Sequence, residues 1–242
     1  MRVAALRPPE RAVEPLPTVG GMSGQSIAEQ VDTFNGGFNE QIGPVLADVF
    51  AQEQAALTAA GVPDGAVREG DTVPDAALVR TDGSAVALAD VLGGRPAVLV
   101  FYRGAWCPYC NIALQTYQRD LLPALADRGV ELVAISPQTP EGSEQAVANG
   151  GLEFTVLSDP SNALVRGLGI LTEPSGEARQ AHTQLGFDVA DSNADATGDI
   201  PFPTVLVVDG DRVVRFADVH VDYTTRTEVP TILEAVERLR PA

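Results

Sequence analysis

Lysine is absent from the 242 residues, and all 16 basic side chains are arginine. Schiff-base chemistry and any nucleotide-binding loop built on a lysine are thereby excluded. Positive charge is scarce altogether. Thirty-three acidic groups outweigh the 16 basic ones for a formal charge of −17, which repels a phosphate backbone or an anionic lipid surface and argues against nucleic-acid and membrane partners. No apolar run approaches the roughly 18 residues that a bilayer span needs. Histidine occurs twice, at 182 and 220, far from the cysteines and without finger-like spacing, so both read as satisfied or exposed side chains and not as ligands. Cysteine also occurs twice, as Cys107 and Cys110 of one C-x-x-C. That leaves no wider disulfide framework and turns the pair toward redox chemistry or metal binding. A closed zinc site wants about four ligands, and the sequence has no partners for these two.

What is present fits one α/β domain with an appended segment. Residues 1–22 carry three arginines and four prolines but no apolar core of a secretory kind, so they read as a disordered extension of a cytoplasmic protein, with Met22 as an alternative start. Residues 23–66 read as a helical appendage. Ser26 to Glu29 form a capping box ahead of Ile27, Val31, Phe34 and Phe38, Gly43 and Pro44 break the pattern, and Leu46 to Leu57 resume it before Gly61 and Pro63. The appendage reads as a helical pair covering an edge of the main domain, with a dimerisation arm or a lid as the functional alternative.

From residue 67 onward, short apolar runs alternate with helical stretches, the pattern of a sheet flanked by helices. Ala97 to Tyr102 is the clearest buried strand. A helix from Cys107, kinked at Pro123 and ended near Gly129, then Glu131 to Ile135, a helix near 141–149, Phe154 to Leu157 and a helix at 161–168 follow. Two strands flank Asp209-Gly210-Asp211, and a last helix spans about 227–239. Between these halves, residues 170–203 show little periodicity and read as a long loop. Asp188, Asp191, Asp195 and Asp199 lie there without the ligand spacing of a calcium loop.

The chemistry concentrates in Phe101 to Asn111, FYRGAWCPYCN. A strand ends, a turn follows, and a helix begins at the first cysteine. The positive end of that helix predicts Cys107 as the more acidic thiol, Pro108 suits the first helical position, and Cys110 stands one turn along, placed to close a local disulfide.

This stretch, with VAISPQTPEG, FTVLSDPSNALVRGLGI and PFPTVLVVDGDRVVRFADVHVDYTTR, resembles the peroxiredoxin-like branch of the alkyl hydroperoxide reductase and thiol-specific antioxidant family. The likeness covers about residues 67–240, and the helical pair before it is similar too. It implies a thioredoxin-like fold over residues 67–242 with an N-terminal helical appendage. It implies a peroxidase without cofactor, Cys107 attacking a hydroperoxide and Cys110 resolving, with thioredoxin or a low-molecular-weight thiol as reductant, and leaves a homodimer open as its assembly.

Two positions depart from the family. Its Thr three residues before the reactive cysteine and its Pro four residues earlier are replaced by Gly104 and Val100, and its late Arg is replaced by Pro203 in PFPT, similar to the cis-proline loop of thioredoxins. Arg103 is the candidate to supply the missing positive charge. Tyr102, Trp106, Tyr109, Phe202 and Pro203 are candidate substrate contacts, and Tyr223 and Arg226 of VDYTTR are second-tier candidates. A glutaredoxin-like thiol–disulfide oxidoreductase, on CPYC and Pro203, is the alternative. A non-enzymatic redox-sensing module is the reading from another class.

Overall fold

The structure, a computed structural model, describes residues 24–239. The readings made for residues 1–22, including the start at Met22, lie outside them. Helix α1 (Ile27–Ala60) opens on the expected capping box, Ser26 accepting from the Glu29 amide while the Glu29 carboxylate accepts from the Ser26 amide. Glu228 accepts from the amides of Ile27 and Ala28 and so fixes this helix end to the far end of the chain. Gly43 adopts φ 78° and breaks the helix into two just before Pro44, a conformation that costs glycine little and an L residue much.

The seven-stranded sheet has the order β2-β1-β5-β4-β3-β8-β9. Its strands are β1 (Ala77–Arg80), β2 (Ala85–Ala87), β3 (Ala97–Phe101), β4 (Glu131–Ser136), β5 (Thr155–Ser158), β8 (Thr204–Val208) and β9 (Val214–Val219). β3, β4 and β5 run parallel, β8 lies antiparallel beside β3, and β9 lies antiparallel beside β8. β3 is buried along its whole length, as expected for a central strand covered on both faces. Alternate residues serve two cores: Val98 and Val100 meet Leu114, Tyr117, Leu121 and Ile232 on one face, while Leu99 and Phe101 meet Leu88, Leu92, Leu164 and Val165 on the other. The helices that cover the sheet are α2 (Leu88–Leu92), α3 (Pro108–Thr116), α4 (Leu122–Ala126), α5 (Pro140–Gly150), α6 (Ala163–Gly167) and α9 (Val229–Glu237).

Two readings need correction. The break after α3 is a π-helical turn at Tyr117–Leu121 rather than a kink at Pro123 itself; a proline supplies no amide, so the turn before it widens. Residues 170–203 are not a bare loop, for they carry a two-stranded ribbon of β6 (Leu171–Thr172) and β7 (Ile200–Pro201) and the helices α7 (Gly176–Gln184) and α8 (Val189–Ser192). α7 buries Ala178, Ala181 and His182. Small and polar residues facing inward leave no apolar stripe to read, although Ser175 caps the helix through the Ala178 amide. α1 packs chiefly on α3 and α7. Among the described residues no helix is long and apolar enough to cross a membrane.

Candidate active site

β3 ends at Phe101, and the Tyr102 amide still donates to Ile135 before the chain turns. Gly104 sits at φ 149°, and a Cβ there would lie 2.5 Å from Trp106 Nε1, so the turn is closed to any larger residue. Gln138 clamps it from β4's loop, its Oε1 accepting from the Ala105 amide at 2.7 Å. α3 then starts with Cys107 as N-cap and Pro108 first, as the sequence predicts.

Both cysteines are thiols, each only 1% exposed. The Cys107 sulfur takes no bond from the helix amides; its carbonyl receives those of Cys110 and Asn111 instead. The guanidinium of Arg226, in the loop after β9, lies 3.0 Å from Cys110 Sγ and 3.9 Å from Cys107 Sγ. Burial, and the hydrogen bond that it gives to Cys110, push the Cys107 thiol well up. Burial opposes ionisation at Cys110 too. There the bond from Cys107, the Arg226 charge and the Arg103 backbone amide outweigh it and hold the thiol well below its usual range. These contacts favour charge on Cys110, against the order of acidity expected from the helix N-terminus. A terminal dipole contributes about 0.3–1 kcal/mol on exposed surface, less than a buried charge-assisted bond of about 1.5–3 kcal/mol.

Arg103 is 5% exposed and stacks between two rings, its Cζ 5.0 Å from the Trp106 centroid and 4.4 Å from that of Tyr223. It makes no ion pair with a carboxylate among the described residues. Tyr109 donates to Asn35 Oδ1 at 2.8 Å and meets Phe34 edge-on, and Tyr223 donates to the Phe50 carbonyl, so the two halves of α1 lie over the pair. Tyr102 is no exposed platform: it is buried in the core on the Cys110 side. The second-tier residues Tyr223 and Arg226 are central. His220, His182, Asp218, Thr225, Thr227 and Gln138 were not singled out for this site. The only signal for four of them was the polar run that frames Arg226.

Pro203 separates two small cavities. One is lined by Cys110, Arg226, His220 and Thr227, the other by Arg103, Tyr223, Phe202 and Glu53 of α1. The likeness of PFPT to a cis-proline loop does not hold, since no peptide bond among the described residues is cis. The Phe202 amide donates to Ile170 and its carbonyl accepts from Thr204 Oγ1, so both its main-chain groups are engaged inside the protein. Among the described residues no group of three or more acidic, histidine or cysteine side chains could hold a metal ion.

The sequence model of the AhpC/TSA family matches residues 69–217. A Mycobacterium tuberculosis peroxiredoxin relative is 35% identical over 104 residues, 43% of this chain and 65% of its own length. Peroxiredoxin Bcp of Escherichia coli is 31% identical over 109 residues, 45% of this chain and 69% of its own. The chain thus spans just under two thirds of the length of the Mycobacterium relative it matches. Among solved structures, peroxidoxin BcpB from Mycobacterium tuberculosis superposes with a TM-score of 0.55 at 21% identity, covering 72% of this chain and 99% of that one. Reduced Prx3 of Vibrio vulnificus in complex with hydrogen peroxide superposes at 0.57 and 20% identity, covering 70% and 99%. The fold is the expected thioredoxin-like one with its N-terminal helix. Arg226 and α1 both lie outside the family-matched residues.

Proposed function

Because the chain belongs to the AhpC/TSA family, we propose that it is a thiol-dependent peroxidase that reduces hydrogen peroxide or a small organic hydroperoxide at its cysteine pair. The observation that carries the mechanism is the Arg226 guanidinium, 3.0 Å from Cys110 Sγ against 3.9 Å from Cys107 Sγ. This favours Cys110 as the first nucleophile and Cys107 as the resolving thiol, exchanging the roles expected from the sequence. Counted from Cys110, the family's threonine place falls on Cys107 and its proline place on Arg103, so both family residues are replaced in this count as well. The Cys107 S–H then stands where a hydroxyl donor is usual.

In the first step the Cys110 thiolate attacks the terminal peroxide oxygen. An S–O bond forms, the O–O bond breaks, and the departing alkoxide or hydroxide leaves protonated as alcohol or water, its developing charge facing Arg226. The Cys107 sulfur then displaces water from the sulfenic acid to give the Cys107–Cys110 disulfide. An external dithiol such as thioredoxin, or two equivalents of a low-molecular-weight thiol, returns the two electrons in a reducing compartment such as the cytoplasm. The small cavity at Cys110 favours hydrogen peroxide over bulky hydroperoxides. The exchange reading has less support, since Phe202 offers no free main-chain edge for docking a partner disulfide.

The test is stopped-flow fluorescence of Trp106, the single tryptophan, after mixing reduced protein with hydrogen peroxide. Cys107→Ser should still react once and stop at a sulfenic acid on Cys110, while Cys110→Ser should lose the fast phase. A wild-type rate no better than that of a free thiol with the same thiolate fraction would return the protein to disulfide exchange.

A further inference from the structure

An arginine on a mobile loop loses rotamer freedom when it is held against a sulfur, so the loop itself must be fixed in advance. The guanidinium of Arg226 is partly self-anchored, Nη1 donating to the Tyr223 carbonyl at 2.7 Å and to that of Thr225 at 2.5 Å. Both carbonyls belong to the same loop, so they set the side chain on the loop but not the loop on the protein.

His220 supplies that second connection. It leaves the end of β9 with its amide donating to the Pro203 carbonyl at 2.9 Å. Its Nδ1 lies 2.7 Å from Thr225 Oγ1, and its Nε2 lies 3.0 Å from Asp218 Oδ2 and 3.2 Å from Thr227 Oγ1. The Asp218 carboxylate only accepts, so Nε2 bears the hydrogen. Thr227 donates to the same carboxylate oxygen at 2.9 Å, and the Tyr117 hydroxyl donates to the Thr227 carbonyl at 2.7 Å. One imidazole therefore ties the residue before Arg226 and the residue after it to strand β9. The hydrogen bond from His220 also holds the Asp218 carboxyl below the usual carboxylate range, as expected where the network favours the charged acceptor. Arg226 makes no ion pair with a carboxylate among the described residues, so the cysteine pair is its anionic partner.

We propose that His220, backed by Asp218, is a positioning residue for Arg226, fixing the loop so that the guanidinium stays on the Cys110 sulfur. The inference rests on the reading of Cys110 as the thiolate. Without the imidazole, Thr225 and Thr227 lose their common tether and the guanidinium swings into the small cavity that it shares with Cys110 and His220.

The experiment is the thiolate absorbance at 240 nm of the reduced protein, taken as the reduced-minus-oxidised difference across pH, together with the rate of reaction with hydrogen peroxide. His220→Ala should raise the thiol midpoint by about one unit and slow the reaction about ten-fold, Arg226→Gln should do more, and the double variant should be no worse than Arg226→Gln alone. Thr225→Val, which removes one arm of the tether and leaves the imidazole in place, should shift the midpoint in the same direction by less. A low wild-type midpoint that Arg226→Gln raises and both His220→Ala and Thr225→Val leave unchanged would overturn the positioning role alone. A wild-type midpoint no lower than that of a free thiol, about 8.5, would overturn the thiolate reading and this inference with it.

Discussion

The turn at Tyr102 to Cys107 and the loop at His220 to Thr227 bring one arginine each to the same pair of thiols, by opposite means. Arg103 belongs to the turn, beside Cys107 in sequence, and is held by the faces of Trp106 and Tyr223. Arg226 stands 116 residues from Cys110 in the chain and is held by carbonyls of its own loop, with its free edge on the Cys110 sulfur. Ring faces steady a cation without directing its hydrogens. Carbonyl acceptors fix the plane of the guanidinium and leave a chosen N–H pointing outward. On the proposed reading the negative charge follows the directed cation, to Cys110 and not to the helix-capping Cys107.

The widest gap between the two regions is expected on substitution of the arginines. Arg226→Gln removes the donor that faces the breaking O–O bond and should cost about 100- to 1,000-fold in the rate of reaction with peroxide, the range seen on losing one such preorganised donor. Arg103→Gln should cost about ten-fold or less, because its charge acts on the pair through space. Single-turnover rates at several pH values separate the two. Equal losses would mean that the directed contact of Arg226 has no special weight.

The regions also differ in their histidines, and pH exposes this. His182 packs among Phe50, Trp106 and Phe187 on the turn side. Burial, and then the neighbouring Arg103 charge, lower its pKa from 6.5 to about 4. The neutral ring is the folded form. Above pH 6.5 neither the folded nor the unfolded chain binds this proton, and stability is full. As pH falls from 6.5 toward 4 the unfolded chain binds it first and stability declines, by about 3 kcal/mol in all. His182→Leu should remove that part of the decline. Urea midpoints of the two proteins at pH 7 and 4.5 test this, and parallel losses in both would place the acid sensitivity elsewhere.

Gly104→Ala tests the turn by itself. At φ 149° the new methyl would meet Trp106 Nε1 at 2.5 Å and Gln138 Cδ at 3.0 Å, and the indole cannot yield without unstacking Arg103. Strain and overpacking together should cost about 2 kcal/mol in urea unfolding. The thiol midpoint should move less than on Arg226→Gln, because the guanidinium at Cys110 keeps its own loop carbonyls. A large rise in the midpoint would show that the turn, and not the loop, controls the charge.

These contrasts explain how much the chain could disclose as a sequence. The central strands were legible because β3 is apolar throughout and β4 is apolar between Glu131 and Ser136, and the capping box at Ser26 and the turn into Cys107 are local patterns. α7 was hidden because its inward residues are alanine and histidine. Tyr223 and Arg226 were noticed only as a matching pattern, since nothing in their spacing shows that a loop 116 residues away closes on Cys110. His220 looked like an isolated side chain because its partners, Asp218, Thr225 and Thr227, become a network only when the chain reverses after β9. The proposed exchange of cysteine roles has the same cause: helix polarity is written locally, and the position of a distant guanidinium is not.

The smallest effect concerns the arm that joins the two regions. The first half of α1 holds the turn side through Asn35 and Phe34 on Tyr109, and the second half holds the loop side through the Phe50 carbonyl and Gln54 on Tyr223. Tyr109→Phe deletes one hydrogen bond and keeps the ring, so the arm should loosen by about 1 kcal/mol, which is about a five-fold rise in the population of any opened form. Amide hydrogen exchange should speed up by that factor in residues 30–42 and stay unchanged in residues 45–60, which Tyr223 still secures. Alkylation of the reduced thiols by a bulky maleimide should rise by the same factor if the first half of α1 is what screens them. If exchange rises while alkylation does not, the screen is the loop side, and the second half of α1 together with Tyr223 governs access to the sulfurs.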